Sequence, residues 1–329
     1  MIFMVNIEIG RNEAGQRLDR FLKKYLAEAP LSYIYRAIRK DVKVNGRRSP
    51  EDAVLKEGDM VTVYISDDKL ADFVRKPEHR KVKRQFKTAY EDDNIIAVEK
   101  PFGLLTHGDR TEKKNHLANQ VIDYLIEEGT YNPRLEKTFT PAPVNRLDRN
   151  TTGIVLFGKN APALQQLNRA IRERKAVGKY YLTITSGEME KGLVLKDRMV
   201  KDGSRNIVSL TEDGSGKTME TVARPIITGN GFTLAEIEIL TGRTHQIRVQ
   251  LAEAGYPLIG DPKYGDSLMN RKAKSRWGLG AQLLHAYRIK FGNPGGVLEY
   301  LDGLEIKAGL PEDFRRIAES IFGRDATGI

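Results

Sequence analysis

The residues best suited to chemistry lie between positions 146 and 153. A carboxylate, Asp148, stands between Arg146 and Arg149, and two threonines and Gly153 follow before an apolar run typical of a buried strand. Opposite charges close by favour the ionised form of a carboxylate, and a glycine turn would leave Asp148 at the rim of a sheet, where catalytic groups often lie. Taken alone, the pattern is more typical of a loop-to-strand junction with solvated charges.

The composition is typical of a globular protein. The chain has 329 residues, of which 40% are hydrophobic and 30% charged, and it contains no Cys. This length fits about two domains. The lack of Cys excludes disulfides, thiolate zinc sites and a Cys nucleophile, and it fits a reducing cytoplasm, where we expect the protein to be located. The apolar first five residues predict a strand rather than a signal peptide, and no run approaches the roughly 20 apolar residues of a membrane span.

The net charge of +10 has a local source. Residues 75–87 hold seven Lys or Arg residues against one acid, Glu78. Such a block is typical of a solvated linker, and contact with a polyanion such as a nucleic acid is the added hypothesis. We therefore assign residues 67–87 to a basic linker.

Residues 1–66 predict a small α+β domain. Apolar residues recur at helical spacing in 16–27, and Ser32 is placed to cap a second basic helix. The Asn-Gly pair at 45–46 predicts a tight turn, and residues 60–65 alternate as a strand does. Two short basic helices before a small hairpin resemble the RNA-binding domain named after a small-subunit ribosomal protein, here called the S-four type. The alternative is any small α+β domain with a basic helix.

Residues 88–329 predict a second, larger α+β domain. Strands are expected at 95–98, 180–185 and 284–291, with several antiparallel strands over 193–240. Helices are expected at 116–127, 161–175, 311–322 and from about 248 to Gly255. The sum is a large mixed, mostly antiparallel sheet flanked by helices.

Four motifs of the larger domain occur in a fixed order. They are Lys100-Pro101 with Gly103 and His107, the run from Asn145 to Gly153, Lys179-Tyr180-Tyr181, and the run from Thr241 to Arg248. Together they resemble the RluA family of RNA pseudouridine synthases, from about residue 90 to the C-terminus. The N-terminal domain is similar to the one carried by the ribosomal-RNA branch of that family. The stretch Tyr264-Gly265-Asp266 and the insertion up to His285 are most similar to members acting on large-subunit RNA.

The resemblance implies an enzyme that breaks the bond between uracil and ribose in RNA, turns the base and rejoins it through carbon, with no cofactor. By position, Asp148 matches the family's catalytic aspartate, and whether it attacks the sugar or removes a ribose proton stays open. Arg146 matches the arginine that replaces the extruded uridine, Tyr181 the tyrosine that stacks on uracil, and Arg248 the arginine paired with the aspartate. Residue chemistry agrees, since this reaction needs an ionised carboxylate, a cation beside it and an aromatic wall.

RNA is the expected partner, with large-subunit ribosomal RNA as the expected substrate. The candidate RNA contacts of the N-terminal domain are Arg17, Arg20, Arg36, Arg39, Lys40 and Lys43. A transfer-RNA pseudouridine synthase and a non-catalytic RNA-binding protein of ribosome assembly are the alternatives, and the residues do not separate the two enzymes. A monomer is the default expectation. No metal site is expected, because the five His residues lack ligand spacing.

Several residues also fit plain structural roles. Tyr180 and Tyr181 must face opposite sides of a strand, and the resemblance favours Tyr181 for the site. We expect His245 to be a structural hydrogen-bonding residue rather than a base, and Leu147 to be a core residue. Lys179 fits either a phosphate contact or a solvated charge.

Three positions depart from the family pattern. Asn145, Thr152 and Gln250 stand where members commonly have His, Ser and His. None of these changes removes an ionisable catalytic group, so activity is expected to survive them.

Overall fold

A computed structural model describes residues 3–74, 81–173, 176–202, 207–211 and 215–323 of the chain. Its α-helices are α1 Leu18–Tyr25, α2 Leu31–Lys40, α3 Asp67–Phe73, α4 Leu117–Glu127, α5 Ala161–Glu173, α6 Gln246–Glu253, α7 Ser267–Trp277 and α8 Glu312–Phe322. Its strands are β1 Phe3–Glu8, β2 Val42–Val44, β3 Met60–Ile65, β4 Lys87–Glu91, β5 Ile95–Lys100, β6 Ala142–Pro143, β7 Thr152–Gly158, β8 Val177–Ser186, β9 Leu193–Asp202, β10 Ile207–Thr211, β11 Lys217–Gly229, β12 Phe232–Ile239, β13 Leu284–Phe291 and β14 Glu305–Lys307.

The chain divides into two compact units. The first comprises Met1–Arg84, Asn119–Ala142 and Gly158–Gln165, and the second comprises the rest. The predicted boundaries at residues 66 and 87 follow chain order, whereas the first unit also takes in two later segments of the chain. Helix α3 lies inside the segment 67–87, for which a linker was predicted. Residues 75–80 of that segment lie outside the described residues.

A three-stranded antiparallel sheet with two helices forms the N-terminal part of the first unit. Its strand order is β1-β3-β2, and the apolar faces of α1 and α2 contribute Phe21, Leu22 and Ile34 to its buried core. The Asn-Gly turn is present, with positive φ at both residues. The prediction that Ser32 caps α2 was wrong: the helix begins at Leu31, two residues earlier than predicted, with Pro30 at the N-cap.

Side chains near residue 12 tie the later segments of the first unit to its N-terminal part. The Asn12 amide donates to Glu136 at 2.8 Å, and its carbonyl accepts from the backbone N–H of Ala161 at 2.9 Å. Gln16, which is buried, donates to Thr138 at 3.2 Å. Residue 161 opens α5, so Asn12 supplies an acceptor to the first turn of that helix.

A mixed sheet of eleven described strands dominates the second unit. The order is β10-β9-β11-β12-β8-β13-β7-β5-β4, with β14 beside β13 and β6 beside β7. The pairs are antiparallel around β8 and β12, whereas β13 and β7 run parallel. The expected α+β class with a large mixed sheet flanked by helices is therefore confirmed. Strand β13 has the predicted bounds, and α8 begins one residue after the prediction.

The parallel contact of β7 with β13 requires a glycine at the start of β7. Gly153 has φ +109, and a Cβ there would lie 2.1 Å from the carbonyl oxygen of Ala286. Only glycine adopts this backbone without strain and permits such an approach. The turn predicted from Gly153 thus sets where the preceding loop, residues 146–151, leaves the sheet.

Candidate active site

The loop that carries Asp148 is held by hydrogen bonds on both sides. Its backbone closes a turn, in which the N–H of Thr151 donates to the carbonyl oxygen of Asp148 at 3.0 Å. The buried Thr106 hydroxyl donates to the carbonyl of Leu147 at 3.1 Å and accepts from its N–H at 3.2 Å. Leu147 is buried, as predicted. Asp148 therefore stands on a fixed turn although its side chain is 32% exposed.

Lys100, at the end of β5, anchors the same loop. Its ammonium donates to the carbonyls of Pro101, Leu104 and Arg149 at 3.1, 2.7 and 2.9 Å. The side chain is 1% exposed, and burial lowers the pKa of Lys100 to about 7 while the nearby Asp148 acts in the opposite direction. Three carbonyl acceptors match the three N–H groups of the charged form.

Arg248, on α6, links two carboxylates. Its Nε and Nη2 donate to the two carboxylate oxygens of Asp261 at 2.6 and 2.7 Å, and its Nη1 donates to Oδ2 of Asp148 at 3.1 Å. Arg248 and Asp261 are buried. The bidentate pair fixes the plane of the guanidinium. The remaining nitrogen, Nη1, is therefore aimed at Asp148, which is the more exposed carboxylate of the two and the one that a ligand can reach.

Asp261 is the residue of this cluster that sequence reasoning missed. It is fully buried, and one of its oxygens also accepts from the backbone N–H groups of Lys263 and Tyr264 at 2.9 and 3.2 Å. Burial alone would raise the pKa of Asp261, but its hydrogen bonds and ion pair with Arg248 and these N–H groups lower it below the ordinary 3.8. Its signal in the sequence was an acid that follows the apolar residues 258–259 after one glycine.

Helix α6 is positioned by a buried polar network. Gln246 accepts from the Thr241 hydroxyl at 2.7 Å and donates to the Thr221 hydroxyl at 2.9 Å. The same Thr221 hydroxyl donates to Gln250 at 2.7 Å, and Gln250 donates in turn to Asp197. Gln250, one of the three departures from the family pattern, thus joins α6 to strands β9 and β11. A fully satisfied network of this kind restricts the helix, and with it Arg248, to one position.

His245 touches the site from the residue before α6. Its Nε2 lies 3.8 Å from Oδ2 of Asp148, and its Nδ1 lies 3.0 Å from the hydroxyl of Tyr264. That hydroxyl accepts from the backbone N–H of Val208 at 2.9 Å, and Nδ1 is an acceptor within reach of its own hydrogen. We predict that neutral His245 carries its proton on Nε2, facing Asp148. The side chain acts as the hydrogen-bonding residue that the sequence predicted.

Replacing Tyr264 by Phe is expected to raise the pKa of His245. In the wild-type protein burial lowers that pKa below 6.5, and the donated phenolic hydrogen opposes a second N–H on the ring. Without the phenol, Nδ1 is free to take up a proton, so the pKa of His245 should move upward.

NMR titration of ¹⁵N-histidine-labelled protein measures both the pKa and the tautomer. Tyr300→Phe, which alters an exposed phenol elsewhere, is the matched control. An Nδ1–H tautomer in the wild-type protein, or an unchanged His245 pKa in Tyr264→Phe, would contradict the assignment.

Tyr181, on β8, is buried, with 7% exposure, and lies near Asp148 in the second unit. Burial raises the pKa of Tyr181, and the nearby Asp148 carboxylate raises it further, so the phenol stays neutral. Tyr180 faces the other side, where Arg288 lies 4.1 Å from its ring centroid. The structure therefore brings Asp148, Arg248 and Tyr181 together, and Lys179 is buried rather than a solvated charge.

The two arginines that flank Asp148 in the sequence do not pair with it. Arg146 is exposed and lies near His107, whose pKa is lowered by burial and then by Arg146. Arg149 is also exposed, and its Nε donates to the carbonyl of Gly103 at 3.2 Å. The expectation that these neighbours hold the carboxylate ionised is corrected: the cation in contact with Asp148 is Arg248.

The six basic residues predicted to contact RNA belong to the first unit. Five of them are exposed, namely Arg17, Arg20, Arg36, Arg39 and Lys40, and Lys43 is half-buried over the ring of Tyr64. Among the described residues, no group of His, Asp or Glu side chains is arranged to hold a metal ion, and no helix is long and apolar enough to cross a membrane.

Comparison with known proteins identifies the family. Residues 94–253 match the RNA pseudouridylate synthase family. The chain is 32% identical over 322 residues to the ribosomal large subunit pseudouridine synthase C of Vibrio vulnificus, and the match covers 96% of each protein. The synthase of the same name from Escherichia coli is 32% identical over 324 residues, again with 96% of each chain covered.

Solved structures share the fold. The human RNA pseudouridylate synthase domain containing 4 has a TM-score of 0.54 at 22% identity, over 69% of this chain and 89% of that one. The human domain containing 1 has a TM-score of 0.53 at 18% identity, over 69% and 84%. With full-length relatives at this identity, the predicted family is confirmed: the chain belongs to the RNA pseudouridylate synthase family and is an isomerase.

Proposed function

We propose that the protein converts one or a few uridines of large-subunit ribosomal RNA to pseudouridine, with Asp148 as the group that acts on the ribose. The observation that carries this proposal is the Arg248 bridge, which joins the reachable carboxylate of Asp148 to the buried one of Asp261. The contacts of Asp148 with Arg248 and with His245 both fall on Oδ2. Among the described residues this leaves Oδ1 as the oxygen available to face the sugar.

The reaction is an isomerisation, so atoms balance without a second substrate. The bond between N1 of uracil and C1′ of ribose breaks, a bond between C5 and C1′ forms, C5 loses its proton and N1 gains one. An ionised Asp148 can begin this either by attack on C1′ or by removal of a ribose proton, and both routes need the carboxylate charge. Arg248 holds that charge in place before the substrate arrives.

The neighbouring residues supply the rest of the site. Tyr181 offers an aromatic wall for the uracil ring, since its phenol stays neutral and its ring is buried beside Asp148. Everting a nucleotide costs a few kcal/mol of stacking. Arg146 is exposed, and in the proposed mechanism its guanidinium fills the vacated position and so offsets part of that cost.

The RNA target is inferred from the relatives and from charge. The relatives matched along almost their whole length are named as large-subunit ribosomal synthases. The net charge of +10 and the exposed basic residues of the first unit suit a polyanionic partner. Residues 1–66 would serve as an S-four-type RNA-binding domain, with a monomeric protein acting in the cytoplasm without a cofactor.

Incubation of the purified protein with separate transcripts of large-subunit RNA, small-subunit RNA and transfer RNA tests the target. We expect pseudouridine, mapped by carbodiimide adducts and primer extension, at one or a few positions of the large-subunit transcript alone. Conversion confined to transfer RNA would replace the proposed target by the first alternative. Binding of all transcripts without conversion would favour the non-catalytic assembly protein.

A further inference from the structure

A cavity borders the loop that carries Asp148. It has a volume of about 290 Å³, and its lining includes Phe102, Gly103, Leu104, Glu112, Asn115 and Arg149. Phe102 is 61% exposed, so a large aromatic face is offered to solvent at the wall of a polar cavity. The volume of the cavity is at the lower end of the range for small-ligand sites.

The cavity and the active-site loop are parts of one hydrogen-bonded structure. Arg149 directly follows Asp148, and its Nε donates to the carbonyl of Gly103, the residue after Phe102. The buried ammonium of Lys100 binds the carbonyls of both Leu104 and Arg149. When a target nucleotide lies at Asp148, the nucleotide next to it in the RNA would therefore be close enough to place its base against Phe102.

The charges of the cavity favour a base over a phosphate. Glu112 accepts the backbone N–H groups of Lys114 and Asn115 through Oε1 at 2.9 and 2.8 Å, and this leaves Oε2 as an acceptor. These N–H groups, and then the neighbouring His116 and Arg149, lower the pKa of Glu112. Glu112 and Arg149 are the charged residues of the lining, which therefore has no net charge to attract a phosphate, whereas a base edge offers both donors and acceptors to these two side chains.

We propose that this cavity binds an unpaired nucleobase of the substrate RNA, adjacent to the target uridine, by stacking on Phe102 and by edge contacts to Arg149 and Glu112. Stacking on an exposed aromatic side chain is the usual way in which proteins hold unpaired bases. The proposal rests on the proposed function and adds a second base to it, so that the enzyme recognises a short unpaired segment rather than a lone uridine.

Phe102→Ala tests the subsite in combination with altered RNA. The probe is a synthetic stem-loop that contains the uridine converted by the wild-type protein, together with versions in which each flanking nucleotide in turn is abasic. We expect one abasic position to lower kcat/KM about tenfold for the wild-type protein, as loss of one stacked base predicts. Phe102→Ala should show a similar loss on the intact RNA and no further loss at that position. Phe102→Tyr should stay within about threefold of wild type because it keeps the ring.

A second measurement does not depend on turnover. 2-Aminopurine at the sensitive position should be quenched on binding to the wild-type protein and not on binding to Phe102→Ala. Leu268→Ala, which truncates an exposed apolar residue at 54% exposure elsewhere in the second unit, is the matched control. Additive losses from the variant and the abasic position, or full activity of Phe102→Ala, would overturn the subsite and leave the proposed function standing. Failure of the wild-type protein to convert any RNA would instead overturn both.

Discussion

Asp148→Asn is expected to abolish conversion of uridine while RNA binding persists. The amide has the shape of the carboxylate and can still accept from Nη1 of Arg248, but it carries no charge with which to attack the sugar or remove a proton. We expect the rate of conversion to fall at least about a thousandfold, as the loss of an acid–base or nucleophilic group predicts. Single-turnover assays on the large-subunit transcript measure this rate.

The fold should be unaffected, since the Asp148 side chain is 32% exposed and the turn around it is held by backbone groups. Asp302→Asn, which changes an exposed aspartate that has no side-chain contact among the described residues, is the matched control and should keep full activity. Affinity for RNA should match wild type and weaken steeply with salt in both variants. Undiminished conversion by Asp148→Asn would refute the assigned role, whereas loss of binding would show that the charge serves the fold or the RNA contact instead.

Elements with strong local signals could be predicted from the sequence. β13 is rich in apolar residues, α8 has an amphipathic pattern, and the Asn-Gly pair strongly favours a tight turn, so each was placed within a residue or two. Helix α3 was missed because its charged sequence buries none of its residues, so its periodicity gave no apolar face to detect. The Ser32 cap failed because Pro30 already supplies a suitable backbone geometry for the start of α2.

The cluster at Asp148 shows where linear reasoning is limited. The contact with Arg248, a hundred residues away, could be anticipated only because a motif linked the two positions. Charge proximity along the chain suggested Arg146 and Arg149, and both point elsewhere. Asp261 stands in no motif that was considered, and its role arises from the tertiary contact that buries it against Arg248. A buried arginine requires a counter-charge, but the sequence does not say which acid supplies it.

Loss of this counter-charge, the Asp261 carboxylate, is expected to affect both stability and activity strongly. Asp261→Asn is expected to destabilise the fold by about 3 to 5 kcal/mol, because it leaves the buried guanidinium of Arg248 without its bidentate partner. It should also lower the rate of conversion roughly a hundredfold, since an ångström of misplacement at Asp148 suffices for such a loss. Urea unfolding and single-turnover assays measure the two effects, and Asp302→Asn is again the control.

The pH dependence gives the stability effect a distinct signature. Because the pKa of Asp261 lies below 3.8 in the folded protein, the unfolded chain takes up a proton first as the pH falls. The contribution of Asp261 is therefore complete above about pH 5 and is lost as the pH falls through the folded pKa. The stability difference between wild type and Asp261→Asn should be constant from about pH 5 to 8 and should narrow below about pH 4.

Replacing both partners separates a structural role from a catalytic one. In the double variant Arg248→Met with Asp261→Leu, apolar side chains of similar volume fill the buried site, and the stability lost in Asp261→Asn should largely return. Conversion should stay low, because Asp148 has lost the guanidinium that orients its carboxylate. If the double variant regained activity together with stability, the Arg248 bridge would be only a support of the fold. If Asp261→Asn were as stable and as active as wild type, the buried carboxylate would not determine where Arg248 points.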